Sequence, residues 1–433
     1  MTEPTSPIRI ADFRKIWFAR FCAVFATTGM VVIIGYQLYD VARSDYGMSI
    51  AEASFQLGLL GLAQFVPLAV LTPLAGVAAD RFDRRWVGTI AVAIDIVIAL
   101  TLALATRYDA VTLPLIYLLA ALHGSARVFV GPSVAAIVPN IVPPAMLPRA
   151  IAMSSIAWQI ASVGGPAAAG LLFAQGRDWP YWVAAGLLVL SGAALMSIGR
   201  LPLHPAARDA HPFRQVVEGF RYVWNERFLL GCVTLDLFAV LLGGATALLP
   251  VFARDILTWS DGTPIGSQGL GIMRASPAIG AALVAAWLSF RPIAREVGAK
   301  MLWAVAGFGA ATIAFGLSRN FALSLGFLVL LGAADMVSVY IRSSLVQLYT
   351  PDAVRGRVSA ISGLAISASN ELGEMQSGVA AALLGATGAV VFGGLGAIGV
   401  TIIWAAAFPE LRRAKTFAPQ FRTMHDSPKE QTT

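Results

Sequence analysis

Charge is what this chain has least of. Only 13% of its 433 residues are Asp, Glu, Lys or Arg, where a soluble domain carries about 25%. Lysine is scarcest among them: Lys15, Lys300, Lys415 and Lys429 are the whole set, and none follows a glycine. No G-x-x-x-x-G-K-[ST] loop can therefore cradle a nucleotide, which argues against a primary pump. Cysteine occurs twice, and Cys22 and Cys232 both fall inside apolar runs, so they read as packing thiols and not as a disulfide framework. With four histidines and no His/Cys cluster, neither a metal site nor a cofactor is expected. No nucleophile–base constellation stands out, and the chain does not read as an enzyme.

Apolar surface is what the chain has instead: 57% hydrophobic residues and a mean hydropathy of +0.73. Stretches of about 20 apolar residues, each able to cross about 30 Å of hydrocarbon, recur from end to end. Twelve candidate spans begin near Ile16, Ser54, Trp86, Val111, Leu147, Trp179, Phe228, Gly266, Val297, Phe321, Val358 and Ala386. The opening MTEPTSPIRIADFRK is polar, and the apolar run after it is too long for a cleaved signal, so the first span is expected to remain as an anchor. One long polar connection, 201–227, divides the chain and is expected to hold a short interfacial helix from Phe213 to Trp224. The expected domains are thus 1–200, a linker 201–227, 228–408 and a tail 409–433.

Positive charge assigns the sides. Arg43, Arg107, Arg177, Arg254 and Arg319 fall in loops on one face, and Arg20, Arg127, Arg274 and Arg342 lie within spans; the other 22 of 31 basic residues share the opposite face. Basic loops stay cytoplasmic, so both termini are expected inside. The net charge of +7 follows from this bias and needs no nucleic-acid partner.

A weak repeat runs through the chain. PPAMLPRAIAMSSIA from Pro143 and PDAVRGRVSAISGLA from Pro351 stand about 208 residues apart and share, among others, Arg149/Arg357 and Ser154/Ser362. Each opens the fifth span of its half, and parallel six-helix repeats are the plan of many secondary transporters.

Three motifs carry a resemblance. Gly76-Val-Ala-Ala-Asp80-Arg81-Phe-Asp83-Arg84-Arg85 joins spans two and three, Arg127 precedes Gly131 by four residues, and Gly165-Pro166-Ala-Ala-Ala-Gly170 lies in span five. They resemble the G-x-x-x-D-R-x-G-R-R, R-x-x-x-G and G-P-x-x-G-G signatures of the major facilitator superfamily, with Asp83, Val130 and Ala169 as departures. The resemblance implies an all-α membrane protein of twelve transmembrane helices in two pseudo-symmetric six-helix bundles. Gly76, Asp80, Arg81, Arg84 and Arg85 would then gate the conformational change through a charge network. Gly165 and Pro166 would act at a closely packed, moving helix contact. The stretches DFRKIWFARF, LPRAIAMSS, VRGRVSAIS and GFRYVWNERFLLG resemble the bacterial exporter branch that includes the enterobactin exporter. That branch implies a monomer in the bacterial inner membrane, exporting siderophores or other polar or anionic molecules in exchange for protons. Lysophospholipid movement and a non-transporting sensor are the alternatives.

Charges inside spans cost at least about 2.5–3.5 kcal/mol each on insertion scales, so each is a functional candidate. Arg127 and Arg274 are candidate anion partners. Asp236 has no compensating charge nearby in sequence, so its proton occupancy can follow the side it faces unless an arginine from another helix pairs with it. Glu371 and Glu374, in SASNELGEMQS, share one helix face and would titrate as a unit. Asp335 lies two turns from Arg342, and a structural role there is as open as a coupling one. His123 and Asp95 carry less weight, and Arg20 and Asp40 read as side chains that snorkel from helix ends.

Overall fold

The computed structural model describes residues 6–199 and 212–417, with the side chains at 73, 76–81, 131–136, 145, 212–216, 245, 352, 353, 356 and 360 left aside. Residues 201–211 of the expected linker and 418–433 of the expected tail lie outside the described residues. Helix dominates, and among the described residues the only β pairing is an isolated Thr258–Pro264 bridge.

The first half comprises α1 (Ala11–Ser44), α2 (Ile50–Arg81), α3 (Arg84–Arg107), α4 (Leu113–Ile141), α5 (Leu147–Gln175) and α6 (Trp179–Met196). Local chemistry sets their starts. Ser49 and Glu52 form a reciprocal capping box, with the Ser49 N–H donating to Glu52 Oε2 at 2.8 Å. Thr112 caps α4 through the Leu115 N–H, and Pro114, Pro148 and Pro180 sit at positions whose amide has no helical acceptor. The linker supplies α7 (Pro212–Asn225), whose Val217, Phe220 and Trp224 are exposed. That is the expected interfacial helix, one residue longer at each end.

The second half comprises α8 (Arg227–Gly243), α9 (Gly266–Phe290), α10 (Val297–Leu317), α11 (Phe321–Tyr349) and α12 (Asp352–Ala407). Two features differ from the sequence reading. After α8 the chain continues past Gly244 through a 3-10 turn, a short α turn and a π turn over Phe252–Ile256. The last two spans form one 56-residue helix broken at Gly385, whose φ of 74° and ψ of 163° lie outside helical space; glycine adopts them without a Cβ clash. Eleven described helices are long and apolar enough to cross a bilayer, and the break at Gly385 makes the eleventh two arms.

Two crossings join the halves. Along α2 and the first arm of α12, a Cβ on Gly378 would stand 2.5 Å from the Gly58 Cα, and one on Gly58 would stand 2.9 Å from the Met375 carbonyl oxygen. Along α5 and α9, a Cβ on Gly271 would stand 2.9 Å from the Pro166 carbonyl oxygen, and one on Gly170 would strike the Ser267 carbonyl. Small residues permit this approach where lipid supplies no hydrophobic drive between helices. Span two of each half meets span five of the other, as a repeat demands.

The apolar core is asymmetric. At the end carrying the α1 C-terminus, one cluster runs continuously from Leu38 and Leu102 to Val251, Phe252, Phe315 and Val390. At the opposite end the second half has a core of its own, including Leu229, Met301, Ile341 and Leu411. The halves are therefore welded by apolar contact at one end only.

Gly378→Leu overpacks the first crossing and is expected to cost about 1–3 kcal/mol, whereas Gly326, with nothing within 4 Å of its would-be Cβ, is expected to tolerate alanine or gain about 0.5–1 kcal/mol. Thermal unfolding of the two purified variants in lipid nanodiscs checks the contrast.

Candidate functional site

Between the halves lies a cavity of about 610 Å³ reached by α1, α2, α4, α5 and α8 to α12. Its ionisable lining is compact: Arg127 and Arg274, with Asp335, Glu371 and Glu374. Gln64, Gln159, Ser162 and Asn370 add neutral polarity, while Trp158 and Phe308 supply aromatic wall. Five of the six residues expected to bind substrate or proton are brought together here.

The strongest contact spans the halves. Arg127 Nη2 on α4 donates to Glu371 Oε1 on α12 at 2.7 Å; Glu371 is 7% exposed at its side chain, and Arg127 is 43% exposed toward the cavity. A carboxylate in low dielectric needs such a partner, because its desolvation is otherwise uncompensated. Glu374 follows one turn on, 3.9 Å from Arg274 Nη2, while Arg274 Nη1 donates to the Thr246 carbonyl at 2.9 Å. Asp335 has no basic partner among the described residues. Its neighbour on α11, Arg342, turns away to pair with Asp236 on α8.

That pairing redirects the reading of Asp236. It does not line the cavity; the Arg342 guanidinium meets it inside the second half, both side chains being at most 11% exposed. The arginine from another helix is present, so Asp236 sits in a buried ion pair and Asp335 is the cavity acid without one. Arg357 does not pair with Glu371 but with Glu218 on α7 at 3.0 Å.

The gating residues are placed unevenly. Asp83 caps α3 by accepting the Arg85 N–H at 3.0 Å, and its carboxylate also holds the Arg85 side chain, whose Nη1 donates to the Ile198 carbonyl at 2.7 Å. The acidic departure from the usual glycine is therefore a helix cap and an ion-pair partner. Arg84 begins α3. Gly76, Asp80 and Arg81 lie on α2, with their side chains outside those described. Gly165 packs on α1, where a Cβ on the facing Gly29 would stand 2.8 Å from its carbonyl oxygen, and Pro166 touches α9 through Gly271.

Two groups escaped sequence reasoning. At the welded end, Asp40 accepts from Arg177 Nη2 at 3.1 Å and forms an ion pair with Arg254, whose Nε lies 3.1 Å away, and Asp255 accepts from the Tyr39 hydroxyl at 2.5 Å and lies 3.5 Å from Arg43. Arg254 and Asp255 project from the π turn, a geometry that recurs at functional sites, so this clamp ties α1 to the second half. Within the first half, Asp95 and His123 meet at 2.8 Å with both residues almost wholly buried. No spacing along the chain signalled either group, since the partners stand on different helices.

A profile of the Major Facilitator Superfamily matches residues 16–374. The chain belongs to that superfamily. Curated relatives within it include the enterobactin exporter EntS of Escherichia coli O1:K1 / APEC, 27% identical over 418 residues and covering 94% of each chain. EntS of Shigella boydii serotype 18 is 26% identical over 416 residues, again covering 94% of each chain. Solved structures with the same fold include a bacterial homologue of the human lysosomal transporter Spinster in an inward-facing, occupied conformation (TM-score 0.72, 14% identity, 94% of this chain and 99% of that one). The nucleoside transporter NupG is a second (TM-score 0.71, 15% identity, 92% and 98%). The protein is thus a multi-pass membrane transporter of the Major Facilitator Superfamily and not an enzyme. The superfamily's transporters take small molecules across the lipid in which they sit.

Two ion pairs separate structural from mobile charge. Arg342→Met leaves Asp236 buried and unpaired, with an expected loss of about 3–5 kcal/mol that Arg342→Met/Asp236→Leu recovers. Arg127→Met is expected to cost less, about 1–2 kcal/mol, because Glu371 can be rehydrated from the cavity. A double-mutant cycle of thermal stability in nanodiscs measures both.

Proposed function

We propose that the chain is a proton-coupled exporter of a small polar or anionic molecule, siderophore-like in class, working by alternating access in a bacterial inner membrane. One observation carries the reading: the Arg127 guanidinium faces the cavity between the halves while held by Glu371 of the opposite half. An anionic substrate and the Glu371 carboxylate compete for it. Binding of the anion at Arg127 releases Glu371, and return of Glu371 to the guanidinium expels the anion. Exchange with protons follows where a cavity acid accepts a cargo hydroxyl only while ionised and releases it once protonated. Asp335, with no cation beside it, and Glu374, beside Arg274, stand ready to carry the proton onward.

Direction is argued from the relatives and from charge. The EntS proteins are exporters by name, and the excess of basic residues on the face of the termini supports a cytoplasmic position for both. On that orientation the Asp40–Arg254–Asp255 clamp closes the outer face, and the gap of about 240 Å³ among Leu68, Thr72, Val128 and Leu364 leads from Arg127 toward the cytoplasm. The bundles 1–200 and 228–408 then rock about the two glycine crossings, with 201–227 as the tether.

In proteoliposomes with an imposed pH gradient, Asp335→Asn and Glu371→Gln are each expected to lower gradient-driven movement of a catecholate siderophore by at least tenfold. Glu371→Gln is expected to retain gradient-independent exchange, since Arg127 stays free to bind. Secretion by a deletion strain under iron starvation tests the substrate class: an unchanged profile removes the siderophore assignment and leaves the transporter.

Asp255→Asn weakens the clamp and is expected to speed the labelling of a cysteine introduced at Gly35, inside the welded end, by about fivefold. The native Cys22 and Cys232 are both buried and leave the background low.

A further inference from the structure

The first half contains a second chamber of about 350 Å³, lined by α1, α3, α4, α5 and α6. It shares Arg127 and Trp158 with the central cavity and opens off it. Most of its wall is apolar, from Ala23, Val24, Val92, Val130 and Leu195. A volume of this size lies within the range of small-ligand sites.

Its polar groups are few and incompletely used. His123 is 1% exposed and Asp95 is 2% exposed, and His123 Nδ1 meets Asp95 Oδ1 at 2.8 Å. A carboxylate accepts only from an N–H, so Nδ1 carries a proton in this contact, and in the neutral tautomer Nε2 is the ring's acceptor. That Nε2 is buried and has no hydrogen-bond partner among the described residues, although His123 forms part of the chamber wall. An unsatisfied buried acceptor costs about 1–3 kcal/mol, which a hydroxyl donor would recover. Arg20 also lines the chamber and has no carboxylate partner among the described residues, so it leaves a cation uncompensated inside a span.

We propose that this chamber is a subsite of the transport path for an anionic group attached to an apolar ring that carries a hydroxyl. Arg20 and the exposed edge of Arg127 take the anion. The apolar wall takes the ring, with Trp158 at the mouth. His123 Nε2 accepts the ring hydroxyl, and Asp95 is the positioning residue that holds the imidazole in its acceptor form. The assignment rests on the exporter reading above and names the chemistry of what that path accepts.

Binding to the full-length protein in lipid nanodiscs, without any gradient, tests it by ligand-observed NMR with 4-hydroxybenzoate and its nearly isosteric, donor-free counterpart 4-methylbenzoate. Wild-type protein is expected to favour the hydroxylated probe by roughly fivefold or more, the scale of one buried hydrogen bond. His123→Phe should abolish that preference while leaving 4-methylbenzoate within twofold, and His123→Gln, which keeps an acceptor, should retain it. Arg20→Gln should weaken both probes by a similar factor, as an anion contact requires. Equal binding of the two probes to wild type, equal loss of both in His123→Phe, or no binding of either overturns the proposal. Because nothing is transported in this measurement, its failure leaves the exporter reading intact, and failure of gradient-driven transport leaves the chamber intact.

Discussion

The contact between Arg127 and Glu371 is the one on which the rest of this structure depends. A guanidinium and a carboxylate that meet at 2.7 Å within a membrane-spanning bundle each relieve part of the other's desolvation. They come from opposite halves, so the pair exists only while α4 and α12 stand close. The glycines at 58, 61 and 378 make that closeness possible: a Cβ on Gly61 would stand 2.8 Å from the Glu371 carbonyl oxygen and 2.8 Å from the Glu374 Cβ. Backbone packing sets the position of the acids, and the acids set what the guanidinium can bind.

Charge in this protein divides into two kinds by where its partners stand. Asp236 with Arg342, and Asp83 with Arg85, are enclosed pairs inside one half; they can stay formed however the halves move. Arg127 with Glu371, and Asp40 and Asp255 with Arg254 and Arg43, join the halves, so movement of one half against the other must break them. The second kind supplies the bistability that alternating access needs, since a packed interface has discrete arrangements and not a continuum. The continuous apolar core at the clamped end reinforces one of those arrangements.

Most of the architecture was legible along the chain. Span positions follow from runs of apolar residues long enough for a bilayer, and their starts at Leu147, Trp179, Gly266, Val297 and Phe321 coincide with the helices. The short helix expected from Phe213 to Trp224 is present as Pro212–Asn225. The region after Gly244 was not, because a π turn and a 3-10 turn have no periodicity distinct from the helix they interrupt. The unbroken run from Asp352 to Ala407 was read as two spans, and Gly385 alone makes that division.

Site residues were legible as a list of costly charges, of which Arg127, Arg274, Asp335, Glu371 and Glu374 converge on one cavity. Their pairing was not legible. Asp236 and Asp335 are both carboxylates in apolar helices, and only the crossing of α8 with α11 decides that one is matched by Arg342 and the other faces the cavity. His123 and Asp95, 28 residues apart, looked like two isolated polar residues until α3 and α4 were placed side by side. By itself the sequence determined the solvent this protein lives in, the number of its crossings and its superfamily, because hydrophobicity, length and local signatures are properties of contiguous residues. Tertiary structure alone decided which charges neutralise one another and which face the central cavity, because electrostatic interaction depends on distance between helices, a quantity that sequence spacing does not contain.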